Sequence, residues 1–453
     1  MLKTSGSGLT RDGFIYGVAT SAFQIEGATD RDGRGPSIWD EFTNQPGKIH
    51  NGDDATIASQ HYDRVEEDIA LLRELGVTAY RFSISWSRVQ PTGEGEFNPA
   101  GIAFYRHLIE SLTESGIRPF VTLYHWDLPQ HLQLAGGWTN RNTAQKFADY
   151  AERMVAEFHE HVHDWITINE PWCAAFLGHN EGMHAPGIQD EATAVRAAHH
   201  LLLAHGLATR QIKNLDPSAN VGISLLLSAI EPASSSALDI QAARHADGEQ
   251  NRWWLDAILN GCYPPDMIDC YAGIGATDVI LPGDLDTISH PIEFLGVNYY
   301  FRHVVASDLE NGRRTKNLEG PTPRTAMGES VDHEGLAQVL ERLRDAYRSI
   351  PILITEFGAP FADYVDPRGA VLDGERVNYL ESQLAVIESS VAQGVDVRGI
   401  FVWSLLDNFE WSFGYSLRFG LYYVEYATGT RIPKASAKYV RAWIQRHRES
   451  NPR

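Results

Sequence analysis

Short apolar runs alternate with amphipathic stretches from one end of this chain to the other. Residues 14–19 form the first run, and 77–85, 117–124, 165–168, 220–227, 292–298, 352–355 and 397–404 repeat it. Each is rich in β-branched, aromatic or Leu side chains and too short for a typical helix, which predicts eight strands. Near-continuous apolar character, rather than strict alternation with polar residues, marks strands buried on both faces of a parallel sheet. The stretches between them carry helical spacing. Val65, Ile69, Leu72 and Leu75 line one face of a helix predicted over 62–75, which stops at Gly76. Further helices are predicted over 104–115, 143–159, 192–215, 253–259, 336–347, 377–393 and 435–448. Eight strands each followed by a helix predict an α/β fold, a (β/α)8 TIM barrel with long βα loops. The chain of 453 residues exceeds the usual ~250 of such barrels. The excess is assigned to loops at 30–52, 228–247 and 306–325, the last two read as exposed connections. No break in composition divides the chain, so residues 1–453 are read as one domain.

In such a barrel, chemistry is built at the C-terminal ends of the strands. The fourth strand runs into Asn169-Glu170-Pro171-Trp172, where Pro171 has no N–H and biases Glu170 out of helical geometry. The seventh repeats the arrangement in Thr355-Glu356-Phe357-Gly358. The first strand delivers Gln24 and Glu26, the second Arg81, and the third His125, Trp126 and Asp127. The sixth gives Asn298, Tyr299 and Tyr300, and the eighth Trp403, with Asp407, Glu410 and Trp411 just beyond; the fifth supplies nothing obvious. Amides, an imidazole and carboxylates interleaved with flat aromatic rings suit a neutral, hydroxyl-rich ligand. Two carboxylates in one mouth suit glycoside hydrolysis, one protonating the leaving oxygen and the other attacking the sugar. The fixed charge of Arg81 would keep a carboxylate beside it ionised.

Composition narrows the alternatives. A formal net charge of −21 argues against nucleic acid or an anionic membrane as partner. Cys173, Cys262 and Cys270 are three thiols without CxxC spacing, which predicts reduced cysteines in a cytoplasmic protein. The first residues lack the apolar core of a signal peptide, and no apolar run is long enough to span a membrane. Neither a phosphate-binding Gly-rich loop nor a carboxylate-rich metal cage stands at the strand ends, so no cofactor is called for. The run His159-Glu160-His161-Val162-His163 looks like a metal motif. It precedes the fourth strand and belongs to the opposite, stability face of the barrel. Cys173, three residues past Glu170, reads as a packed thiol.

The chain resembles the family 1 glycoside hydrolases, the β-glucosidase family, over essentially its full length. The resemblance rests on FIYGVATSAFQIEG (14–27), YRFSISW (80–86), YHWDLP (124–129), TINEPW (167–172), GVNYY (296–300), ITEFG (354–358) and residues 403–420, in family order. It implies a retaining enzyme acting on terminal β-D-glucosyl residues, or galactosyl or fucosyl ones. Glu170 would be its acid/base and Glu356 its nucleophile, ~5–5.5 Å apart as retention requires. It also implies that Gln24, His125, Asn169, Glu410 and Trp411 bind the sugar, with Trp403 as an aromatic wall. Tyr300 and Arg81 would orient Glu356, and Trp126, Asn298 and Tyr300 are expected among the substrate-binding residues as well. The partner is then a small β-glycoside or oligosaccharide, with homo-oligomerisation left open. Two positions depart from the family's pattern. Phe357 stands where an Asn usually follows the nucleophile, and Glu329 where a Trp usually follows Met-Gly. A degenerate sugar-binding protein or a thioglucosidase would lack one carboxylate, and both are present. A phosphoglycosidase would need cations where Glu410 stands.

Overall fold

The computed structural model describes residue 9 and residues 13–320, 323–347 and 349–449. Eight parallel strands close into a barrel: β1 (Ile15–Ala19), β2 (Ala79–Ser83), β3 (Arg118–Tyr124), β4 (Asp164–Asn169), β5 (Asn220–Leu226), β6 (Phe294–Tyr299), β7 (Ile352–Phe357) and β8 (Val397–Trp403). Each pairs with its neighbours in chain order, and β8 returns to β1 through Ile15 opposite Gly399 and Ala19 opposite Trp403. The eight runs read from the sequence are these eight strands.

The apolar strands serve two cores. Ala19, Ala79, Phe120, Ile166, Phe294, Leu353 and Phe401 meet inside the barrel, one from each strand except β5. Gly222 of β5 gives way there: a Cβ on it would lie 2.4 Å from the Phe294 ring. Gly17 of β1 makes the same room for Phe401, at 2.3 Å. Small residues facing large ones fill the interior, so the barrel is a packed core and not a pore. Residues of the opposite parity, such as Tyr80, Val121, Trp165, Val221, Leu295 and Ile354, pack outward against the helices.

The helices start and stop where local chemistry says they should. Asn98 caps the helix Pro99–Glu114 with its side chain on the Ala100 N–H, and Pro99 opens the first turn. Asp190 does the same for Glu191–Leu215, accepting from Thr193 N–H at 2.8 Å. Gly76 (φ 75°) ends Val65–Leu75 in the left-handed conformation that glycine adopts without strain.

Two segments read as plain connections are structured instead. Residues 228–247 contain the strand Ile230–Pro232 and the helix Ala237–Asp247, and residues 306–325 hold most of the hairpin His303–Asp308 and Arg313–Leu318. The three strands form a small second sheet beside the mouth of the barrel. Its outer strand is polar and largely exposed, and the helix Ala237–Asp247 brings three alanines, Ala242, Ala243 and the partly buried Ala246, to the small core with Val305. So weak an apolar signal does not separate strand from loop in the sequence. Among the described residues, no helix is long and apolar enough to cross a membrane.

Candidate active site

Both glutamates stand at the C-terminal end of the barrel, and both are buried: Glu170 is 4% exposed and Glu356 3%. Glu170 follows the last residue of β4 in a left-handed conformation (φ 44°), its N–H held by the Ser224 carbonyl of β5 at 2.8 Å. That turn carries the side chain out of the strand and into the mouth. Glu356 remains within β7, where the register against β6 slips between Ile354 and Glu356.

Arg81 is the hub between them. Wholly buried, it donates from Nη1 to Glu356 Oε1 at 2.5 Å and to the Thr355 carbonyl at 3.1 Å. Its Nη2 donates to Asn169 Oδ1 at 2.6 Å and its Nε to Thr122 Oγ1 at 3.2 Å. Tyr300 O–H holds the other oxygen of Glu356, at 2.5 Å. Both oxygens of Glu356 are therefore fixed, one by a permanent cation and one by a phenol. Asn298 Nδ2 donates to Glu170 Oε1 at 2.8 Å and to Asn169 Oδ1 at 3.0 Å. An unbroken chain of hydrogen bonds thus runs Glu170–Asn298–Asn169–Arg81–Glu356.

The two carboxyls are held in different electrostatic settings. Glu356 has an ion pair. Glu170 has none among the described residues, and its pKa is pushed up to about 8, first by burial and then by the negative charge of Glu356, against the pull of Asn298, Cys173 and Arg81. A carboxyl left neutral beside one paired with a cation is the division of labour that acid and nucleophile require.

The opposite wall is aromatic. His125 stacks on Trp403 with ring centroids 5.8 Å apart, and Trp411 lies 4.5 Å from both Trp126 and Trp39. Trp126 spends its indole N–H on the Asn169 carbonyl at 3.0 Å. His125 accepts at Nε2 from Asn169 Nδ2 (3.1 Å), which places its own hydrogen on Nδ1, a buried atom with no partner among the described residues. Burial and Arg81 push its pKa well down, so the ring is neutral and offers one N–H. Gln24 donates to Asn408 Oδ1 (2.9 Å), the Phe409 carbonyl (3.0 Å) and Glu410 Oε2 (3.2 Å), and accepts from Ser21 Oγ at 2.7 Å. Glu410 is also pushed up to about 8, by burial and by the charges of Glu356 and Glu170. Three carboxyls in one buried mouth do not all ionise at neutral pH.

The structure brings Gln24, Arg81, His125, Trp126, Asn169, Glu170, Asn298, Tyr300, Glu356, Trp403, Glu410 and Trp411 together. Other strand-end groups turn elsewhere. Glu26 is taken by Arg88 (2.8 Å) and Tyr105 (2.5 Å), and Tyr299 by Asp332 (2.6 Å). Asp407 anchors Arg418 and Lys434 in a buried ion network (2.6 Å each), which gives Arg418 a structural place. His163 ends the turn into β4, at the far end of the barrel from the glutamates, and gives its carbonyl to Asn220 N–H. Phe357 is wholly buried in the core between barrel and helices, so its departure from the family's pattern leaves the Glu356 bonds intact. Sequence reasoning missed Ser224, which holds the Glu170 backbone, and Thr355, which fixes Asn298 Oδ1 at 2.6 Å. It also missed Asn408, which supports Gln24.

Residues 7–449 match the profile of the family described as Glycosyl hydrolase family 1. The chain belongs to glycosyl hydrolase family 1. It is 43% identical to beta-glucosidase A of Thermotoga maritima, over 94% of this chain and 95% of the relative. It is 41% identical to a bifunctional beta-D-glucosidase/beta-D-fucosidase of Bifidobacterium breve, over 96% of this chain and 98% of the relative. Among solved structures, the family 1 beta-glucosidase of Exiguobacterium antarcticum B7 superposes with a TM-score of 0.95 at 43% identity, covering 98% of this chain and 99% of that one. The family 1 assignment accords with the barrel, the mouth at its C-terminal end and the paired glutamates.

Proposed function

We propose that the chain is a retaining β-glucosidase in which Glu356 is the nucleophile and Glu170 the acid/base. In the first half-reaction Glu356 attacks the anomeric carbon while Glu170 gives its proton to the departing oxygen. In the second, Glu170, now a carboxylate, takes a proton from water as that water displaces Glu356. The observation that carries this reading is the asymmetry of the pair: one carboxylate held by Arg81 and Tyr300, the other buried without a cation and pushed up to about 8. Trp403 and Trp411 offer flat faces to the sugar, while His125 Nδ1, Gln24 and Glu410 offer polar atoms to its hydroxyls. Asn298 spends its Nδ2 on Glu170 and Asn169 and its Oδ1 on Thr355, and Tyr300 spends its hydroxyl on Glu356, so Asn298 and Tyr300 serve the carboxyls first. The direct test is the anomer released first from an aryl β-glucoside. NMR should show β-glucose before mutarotation, and α-glucose would overturn the assignment.

Acceptance of galactosyl or fucosyl groups belongs to the same reading, and the fucosyl part is supported by the Bifidobacterium relative's two activities. A reducing, cytoplasmic setting is supported by three free cysteines. The formal charge of −21 supports a small uncharged ligand over nucleic acid.

Glu329 sets what happens on the leaving-group side. It is half-buried, with its pKa raised by burial against the charge of Arg324. Nearby, Met327 packs against the cluster that includes Trp403, Leu417 and Phe419. A carboxyl in that loop offers no stacking platform to a second sugar. Cellobiose is therefore expected to be a poorer substrate than aryl glucosides by more than leaving-group acidity explains. Glu329→Trp should raise kcat/KM for cellobiose roughly 5–30-fold, the equivalent of ~1–2 kcal/mol of apolar burial, with aryl glucosides unchanged. No change on either substrate would remove Glu329 from the account of specificity.

A further inference from the structure

Cys173 lies one turn beyond the acid/base. The carbonyl of Glu170 accepts from the N–H groups of Cys173 (3.0 Å) and Ala174 (3.4 Å), so residue 173 returns beneath residue 170 at helical i, i+3 spacing. The buried thiol donates to Glu170 Oε2 with Sγ 3.2 Å away. Burial and the charge of Glu170 push the thiol's pKa well up, so it keeps its hydrogen. Glu170 thus has one donor on each oxygen, Asn298 on Oε1 and Cys173 on Oε2.

The two donors differ in freedom. Asn298 is locked, its Oδ1 taken by Thr355 and its Nδ2 shared with Asn169 Oδ1. A thiol hydrogen turns about its Cβ–S bond and can swap donating for accepting. Glu170 needs both states of its neighbour. It holds a proton before the first transfer and is a bare carboxylate before the second. We propose that Cys173 is a positioning residue for Glu170: its S–H holds Oε2 while Glu170 is a carboxylate and turns aside when Oε2 carries the proton. The bond to a thiol is weak. It favours the carboxylate without fixing Glu170 in that state.

This inference rests on Glu170 being the proton donor. The charged and titratable groups that face Glu170 are Arg81 at β2, Tyr300 after β6, Glu356 at the end of β7 and Glu410 after β8. His125 at the end of β3 reaches its neighbour Asn169 and is neutral. None of them is hydrogen-bonded to the Cys173 side chain, whose one side-chain bond among the described residues goes to Glu170, so a change there acts on Glu170 first.

The test is the basic limb of the kcat/KM–pH profile on an aryl β-glucoside, which reports the acid of the free enzyme. Cys173→Ala removes a donor to the carboxylate and should move the limb up by about half a pH unit. Cys173→Ser supplies a stronger donor and should move it down by about as much, with KM at the optimum within twofold of the parent. A limb unmoved in both variants, or moved the same way in both, would overturn the proposal. Cys173→Ser decides alone if the alanine variant does not fold, since a packed thiol predicts no downward shift. Glu170→Gln separates the two readings. A limb that persists in Glu170→Gln overturns the acid/base assignment, and this inference with it. One that vanishes there yet ignores residue 173 overturns this inference alone.

Discussion

Glu356→Gly is expected to lose turnover by roughly 10⁴–10⁶-fold, the scale on which enzymes lose rate when their nucleophile is removed. Azide should then restore consumption of an activated aryl β-glucoside and yield the α-glucosyl azide. The reason is geometric. Removing the side chain leaves a small cavity on the face from which Glu356 attacks, still lined by Arg81 and Tyr300, whose donors held its two oxygens. A small anion suits that cavity, and it attacks the anomeric carbon once with inversion. Glu170 stays in place to protonate the leaving group. Formation of the β-azide, or rescue by azide at the wild-type rate in Glu170→Gly but not in Glu356→Gly, would reverse the two roles.

Glu170→Gln should follow a different pattern. The amide is nearly isosteric and can still accept from Cys173 and face Asn298, but it has no proton to give. Substrates with poor leaving groups, such as alkyl glucosides, should lose about 10²–10⁴-fold in kcat/KM, the usual worth of general acid catalysis. Activated aryl glucosides, whose leaving oxygen needs little protonation, should lose far less at the same step. The pH profile gives the second readout. As the proposed acid Glu170 would act in its protonated form, and burial with the charge of Glu356 pushes its pKa up to about 8, so wild-type kcat/KM should fall as pH rises through that value. Glu170 and Glu410 are both pushed up in the same buried mouth and feel each other's charge, so the limb belongs to the coupled group rather than to one residue. In Glu170→Gln the limb should be absent. An equal loss across leaving groups would mean that Glu170 only positions the substrate.

Much of this protein was legible in its residues because barrel strands carry their own signal. A strand buried on both faces must be apolar along its length, and a helix packed on it must repeat every 3.6 residues, whatever lies far away in the chain. That is why β1 to β8 were found as eight runs. It is also why polar residues stood out at the strand ends, where an apolar core gives no reason for Asn169, Glu170 or Glu356. The family resemblance then supplied roles for residues whose chemistry alone left several readings open.

What the sequence determined, then, was the barrel and the set of residues near its mouth; which of them turn into the mouth was decided only in three dimensions. Gln24 and Glu26 are two positions apart, yet Gln24 meets Glu410 across 386 residues while Glu26 is captured by Arg88 and Tyr105. Trp126, Glu170 and Trp411 leave their elements at φ of 77°, 44° and 52°, a backbone state that side-chain pattern does not encode for residues other than glycine. Ser224, Thr355 and Cys173 look like ordinary strand and helix residues, and they matter through single hydrogen bonds to Glu170 or Asn298. Local periodicity reports which face of an element is buried. The partner met on that face depends on how all eight strands close, and only the closed barrel holds that information.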